Sequence, residues 1–377
     1  MECQIGILTF HSMRDIGALL QSYGLRTYLK SRYNDVDFIN YSPKKLTKRY
    51  ELFPYYPYKR TLREAAGAFI TFIDNLLHLC SFLRYRNETN RFICLDLGVT
   101  ERKIRKYADI GKAGCDCYIM GSDQIWNPDI TFGLDLAFFG EFPKSADAKC
   151  IAYAASLGRA ALQDKYVPEF QKYVENFNAV SLREDSAIPF VKEHAHCPVA
   201  GACDPVFLIG KDQWDSIAVT APELSEHKYL LIYDTENNAG MKEFADRIAK
   251  EKNLSVFELK RSFNFHGSHK CVFPGPREFL GLIQNAELVI TNSFHGMAFS
   301  ALFHIPFVVS PHSTLGVRLT DLLRRLELAD HLATDRAGAA IADARFDWDK
   351  TDKLIEAYRQ KSAAFLKDCL DTARQAK

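Results

Sequence analysis

No apolar run in this sequence approaches the ~20 residues that a membrane-spanning helix needs, so nothing in it reads as a transmembrane segment. Net charge is nearly absent as well. Lys and Arg number 48 against 47 Asp and Glu, a formal +1, which excludes the global basic field that draws a protein to nucleic acid. The opening MECQIGILTF has no basic stretch ahead of a short apolar run. It reads as a strand and not as a signal peptide, which points to a cytoplasmic protein. Internal repeats and low-complexity tracts are missing. Cysteine is sparse and scattered, ten in 377 residues, and without an export signal these read as reduced thiols and not as a disulfide framework. Cys115 and Cys117 stand two apart on an expected strand, so they share a face as small apolar filler. HAHCPVAGAC (194–203) fits none of the usual zinc spacings, and no metal ligand set is expected.

What is present is a rhythm. The length favours two domains. IGILTF (5–10), VDFIN (36–40), CDCYIMG (115–121), KCIAYAAS (149–156) and AVSLRE (179–184) read as strands, and DIGALLQSYGLRTYLKSR (15–32) as a helix. A mixed stretch follows at 211–227, and the rhythm restarts: YLLIYD strand, MKEFADRIAKE helix, LSVFELK strand, PREFLGLIQNA helix, ELVIT strand, GMAFSALF helix, PFVVS strand, RLTDLLRRLEL helix. Such alternation implies α/β architecture with parallel sheets covered on both faces. The expected division is a Rossmann-like domain over 1–220 and a second over 221–349, around a cleft, with a last helix at 350–377 packing back on the first. The segment 43–90 breaks the rhythm. Seven Lys or Arg between 44 and 63 face Glu51 and Glu64, a net of +5, with Tyr50, Tyr55, Tyr56 and Tyr58 interleaved. It reads as an insertion packed on its own domain, or as a patch that meets anionic headgroups.

TNSFHGMAFS (291–300) concentrates Asn292, Ser293, His295 and Gly296 where a strand hands over to a helix. Open α/β sheets bind ligands beyond the carboxyl ends of strands, and helix amino termini suit anions. Asn292 or Ser293 is placed to cap the helix, Gly296 to let a ligand approach the backbone, and His295 to give a proton. On spacing alone, a simple capping turn explains these residues as well.

NAELVITNSFHGMAFSALFHIPFVV (285–309) resembles the C-terminal signature of the polysaccharide pyruvyl transferase family. IGILTFHSMRDIGALLQSYGL resembles that family's opening, CDCYIMGSDQIWNP its central block, and IAYAAS, SLREDS, DPVFL and GPREFLGLIQNA four more, all in order from about residue 4 to 330. The resemblance implies a GT-B-like fold of two Rossmann-like halves. It also implies an enzyme that takes phosphoenolpyruvate and a sugar diol, such as one of galactose, forms a cyclic pyruvate ketal and releases phosphate, with no cofactor and no metal. Its setting is bacterial capsule or exopolysaccharide synthesis. The implied acceptor is carried on a polyprenyl diphosphate at the inner membrane face, where the stretch 44–63 would give peripheral contact.

By the same resemblance His295 takes the proton or phosphate role, and Arg183 in SLRE grips the donor, with Ser293, Gly296 and Asn292 beside it. The alternative for Arg183 is a surface ion pair with Glu184 or Asp185. Asp123 is placed as base or acceptor-orienting group, or as an Asx turn, and Asp15 and Gln124 near the acceptor. Two positions depart from the pattern. Some members carry arginine where this chain has Ser293, which leaves Lys260, Arg261, His266 or Arg318 to supply charge, and the opening loop has Asp15 where the family often has asparagine. Two other readings use the same sequence: a nucleotide-sugar glycosyltransferase, and a non-catalytic binding protein of polysaccharide assembly.

Overall fold

The computed structural model describes residues 4–54, 62–99, 103–220, 228–259, 269–312, 316–333 and 345–375. The chain forms two compact units. One comprises Met1–Leu76, Arg86–Ile209 and Ala357–Lys377; the other comprises Leu77–Tyr85 and Gly210–Glu356.

The first unit is built on a six-stranded parallel sheet: β1 (Ile5–Leu8), β2 (Val36–Phe38), β3 (Cys117–Met120), β4 (Lys149–Ala155), β5 (Ala179–Leu182) and β6 (Val199–Gly201), in the order β2-β1-β3-β4-β5-β6. The second holds β7 (Tyr229–Tyr233), β8 (Ser255–Leu259), β9 (Lys270–Val272), β10 (Leu288–Thr291) and β11 (Phe307–Val309), parallel, in the order β11-β10-β7-β8-β9. Parallel sheets are covered on both faces, so their inner strands read as unbroken apolar runs. CYIM of β3 is buried throughout, and so is LVIT of β10. β6 and β9 have three residues each and no such run, and the periodicity did not reveal them.

The strand orders fix where a site can sit. In each sheet the winding direction reverses once, between β1 and β3 and between β7 and β10. Loops leave such a switch point in opposite directions and open a crevice at the carboxyl edge. The loop residues 121–124 occupy one switch point, and 234–236 and 292–295 the other.

Segment 43–90 carries, besides a single turn at Lys44–Thr47, two longer helices, α2 (Leu62–Leu77) and α3 (Leu79–Arg91), after α1 (Ile16–Lys30). The charges at its start are engaged. Lys45 lies 3.1 Å from buried Asp135, and Arg49 donates to the Ile130 carbonyl at 2.9 Å over the Phe132 ring. Tyr55, Tyr56 and Tyr58 lie outside the described residues. The last helix, Trp348–Gln375, divides between the units. In the first, Tyr358 donates to the Ala202 carbonyl at 2.8 Å and Arg359 to that of Phe207 at 2.6 Å. In the second, Trp348 stacks on Phe346 and on His304.

Gly121 cannot be replaced freely. Its φ is +125°, and an added Cβ would lie 2.1 Å from the Tyr153 carbonyl oxygen on the neighbouring strand. Gly121→Ala should therefore cost about 3 kcal/mol through strain and overpacking. Denaturant unfolding of the variant checks it.

In the second unit His269 opens β9 and bridges Glu258, 3.3 Å away, and Asp246 at 2.8 Å, with Lys242 also 3.1 Å from Glu258. The hydrogen bond to Glu258 above all raises the His269 pKa, against burial, with Asp246 adding to it. The stability it contributes is thus complete below the ordinary histidine value of about 6.5. It is lost as pH rises through the elevated folded value. The melting temperature of the protein should fall across that window, and a His269→Gln variant should lack this part of the slope.

Candidate functional site

At the end of β3 the chain turns through Ser122 and Asp123, the latter with φ of +76°. Neighbours fix this turn. Ser122 Oγ donates to the Ala154 carbonyl at 2.7 Å, Thr9 Oγ1 donates to the Ser122 carbonyl at 3.1 Å, and the Ser156 amide donates to the Asp123 carbonyl at 3.0 Å. Asp123 Oδ1 accepts from the Gln124 amide at 2.8 Å and faces Arg183 Nη2 at 3.6 Å. An Asx-like local bond and a charge contact are both present. Gln124 Oε1 accepts from Asn127 Nδ2 at 2.8 Å.

Arg183 leaves the end of β5 with a side chain only 2% exposed. It is no surface pair: Asp123, Glu184 and Asp204 lie around it. Nη1 donates to Asp204 Oδ2 at 2.7 Å, Nε lies 3.7 Å from Glu184, and Nη2 faces Asp123. Glu184 is itself fully buried and accepts from Ser156 Oγ at 2.5 Å. Burial works to lower the Arg183 pKa, but Asp204, Glu184 and Asp123 together raise it. Three carboxylates thus surround one guanidinium. The group is committed to its own unit, where it ties the ends of β3, β5 and β6 together. An anionic donor would approach it through those carboxylates. Asp15 caps α1, its Oδ1 accepting from the Ala18 amide at 3.1 Å, as an Asp at a helix start should.

The second unit gathers the 291–300 residues at its own switch point. Asn292 follows β10 and reaches across to the loop after β7: its Oδ1 accepts from the Thr235 amide at 2.8 Å and hydroxyl at 3.0 Å, and its Nδ2 donates to Asp234 at 2.8 Å. Asp234 in turn accepts from the Glu236 and Asn238 amides, which shapes that loop. Ser293 is the N-cap of α4 (Phe294–Phe303) and accepts from the Gly296 amide at 3.5 Å. His295 sits in the first turn, 7% exposed, its ring edge-on to Phe294 at 5.3 Å. Gly296 has a reason within the fold itself. An added Cβ would lie 2.6 Å from Thr291 Oγ1 and 3.0 Å from the Tyr233 ring. The close approach of helix to strand by itself demands glycine here.

The structure also adds residues that the motifs did not single out. His312, just beyond β11, holds Glu236 at 3.2 Å. Burial above all lowers its pKa, with Arg318 acting the same way and Glu236 and Asp234 opposing. Asp234, Glu236 and His312 each lie within three residues of a strand's carboxyl end, and that position was the available signal. Arg318 is described in the first turn of the helix Gly316–Arg325, whereas Lys260, Arg261 and His266 lie outside the described residues. Among the described residues no group of three or more His, Cys, Asp or Glu is arranged for a metal ion.

Comparison with known proteins gives one family. The family model for polysaccharide pyruvyl transferase matches residues 15–314. No curated protein matches the chain. Among solved structures, a UDP-N-acetylglucosamine 2-epimerase from Listeria monocytogenes is 11% identical with a TM-score of 0.51, over 96% of this chain and 91% of that one. The glycotransferase of kitacinnamycin is 12% identical with a TM-score of 0.48, over 98% and 100%. A UDP-GlcNAc 2-epimerase from Neisseria meningitidis, bound to UDP-GlcNAc, is 12% identical with a TM-score of 0.47, over 99% and 100%. At 11% identity the likeness to the Listeria monocytogenes epimerase is one of fold alone, two parallel α/β units of the GT-B kind.

Proposed function

The chain belongs to the polysaccharide pyruvyl transferase family, and on that premise we propose that it moves the pyruvyl group of phosphoenolpyruvate onto two hydroxyls of a sugar, forming a cyclic ketal and releasing phosphate. The observation that carries the reading is the family match over 15–314, with the His295 turn lying at a switch point of the second sheet.

The chemistry asks for few groups. A proton goes to the methylene carbon of the enol, and the adjacent carbon becomes cationic. One sugar hydroxyl attacks it and loses its proton. Phosphate then departs and the second hydroxyl closes the ring, its proton going to the phosphate, so the diol overall supplies one proton to the new methyl group and one to phosphate. On this reading His295 serves the donor as proton donor or phosphate partner, and the α4 amino terminus favours the anion. Asp123 orients or deprotonates an acceptor hydroxyl, and Arg183 with Glu184 and Asp204 holds Asp123 in its left-handed turn. Arg183 is then a positioning residue. The acceptor is proposed to be a sugar on a polyprenyl diphosphate carrier, with no metal taking part.

The test mixes the protein with phosphoenolpyruvate and an aryl or lipid-linked galactoside, with and without EDTA, and follows phosphate release and the mass of the product. Release with a ketal-sized mass gain, unaffected by EDTA, is the expected result. Transfer from a nucleotide sugar, or activity lost to EDTA and restored by Mg²⁺ or Mn²⁺, overturns it.

A further inference from the structure

We propose that the outward face of α2 is a docking surface for an anionic lipid bilayer. This goes beyond the reaction and does not depend on it. Large exposed apolar side chains are concentrated in one segment: of eleven among the described residues, nine lie between Phe53 and Leu95. Five of them share α2, where Phe69, Ile70, Ile73, Leu76 and Leu77 are 37–75% exposed. At 100° per residue they fall within an arc of about 120°, the width of a face that an amphipathic helix buries. The other side of α2 is occupied within the first unit. Phe72 packs on Phe53 with ring centroids 5.4 Å apart, and Asn75 donates to the Leu52 carbonyl at 3.0 Å. The helix is therefore held by one side and presents the other.

Charge selects the occupant. Residues 44–91 carry ten Lys and Arg against four Asp and Glu, +6, while the rest of the chain carries 38 against 43, −5. The exposed apolar face thus lies in the one strongly basic segment of a nearly neutral chain. A second copy would bring the same +6 against itself. An anionic headgroup layer offers opposite charge to the flanks and hydrocarbon to the helix face. No described helix is long and apolar enough to cross a membrane, so the contact lies in the interface plane. The stretch 44–50 is not the contact itself, since Lys45 and Arg49 are engaged within their unit.

Co-sedimentation with vesicles tests this, using phosphatidylcholine alone and with about a third phosphatidylglycerol, at low and high salt. Wild type should bind the anionic vesicles at low salt and lose most of that binding in high salt or on neutral vesicles. Ile70→Glu/Leu77→Glu, at exposed positions, should bind at least tenfold more weakly with unchanged circular dichroism and melting temperature. Wild type that ignores anionic vesicles, or a double variant that binds them equally, overturns the proposal. So does a wild-type dimer that the double substitution turns into a monomer while neither form binds lipid.

Discussion

His295→Ala lowers kcat for phosphate release by about 10²–10⁴-fold, the usual loss on removing a general acid or base. The melting temperature should move little. His295 lies in the first turn of its helix, not among the side chains that seal the sheet, and the Ser293 cap and the Asn292 bridge to Asp234 and Thr235 do not use its ring. The pH profile separates the roles. A proton donor gives a limb in kcat that disappears in the variant, whereas a packing residue leaves the profile unchanged and lowers only the melting temperature. Turnover like wild type in a folded variant would remove His295 from the mechanism.

Arg183→Ala is expected to destabilise the first unit by about 3–5 kcal/mol, because it strips the cation from a buried group of carboxylates. Asp204 and Glu184 are essentially unexposed, so water cannot readily replace the guanidinium. Arg183→Lys should recover only part of this. One ammonium keeps the charge but cannot present the planar fork that reaches Asp204 at 2.7 Å while facing Glu184 and Asp123. Chemical denaturation measures the stability, and the phosphoenolpyruvate KM measured on the folded fraction decides the role. A loss of stability with KM near wild type fits a positioning residue that sets Asp123. A large rise in KM with stability intact would return Arg183 to direct contact with the donor.

The strands were legible because buried parallel strands must be continuously apolar, and YLLIY or LVIT can hardly serve otherwise. Of the four three-residue edge strands, β6 and β9 were not, since VAG and KCV carry no apolar pattern. The turn at 291–296 was legible as a strand-to-helix handover, and Ser293 does cap the helix. The packing reason for its glycine was not legible: a sequence shows that a Cβ is missing, but not which atom would have met it. Arg183 was legible as a special residue and Glu184 beside it as a partner, but Asp123 and Asp204 were not. They come from two other loops, and only sheet order brings them to the same guanidinium.

By itself, then, the sequence determined the class of fold, the places where strands give way to helices, and through the ordered blocks the family, because each depends on neighbouring residues and local periodicity. The tertiary structure decided the rest. Strand order put the switch points between β1 and β3 and between β7 and β10. It joined Asn292 to Asp234 and His312 to Glu236, enclosed Arg183 among carboxylates, and left one face of α2 uncovered. Each of these is a contact, or the lack of one, between residues far apart along the chain. Burial and charge depend on which distant neighbours arrive, and no local pattern records that.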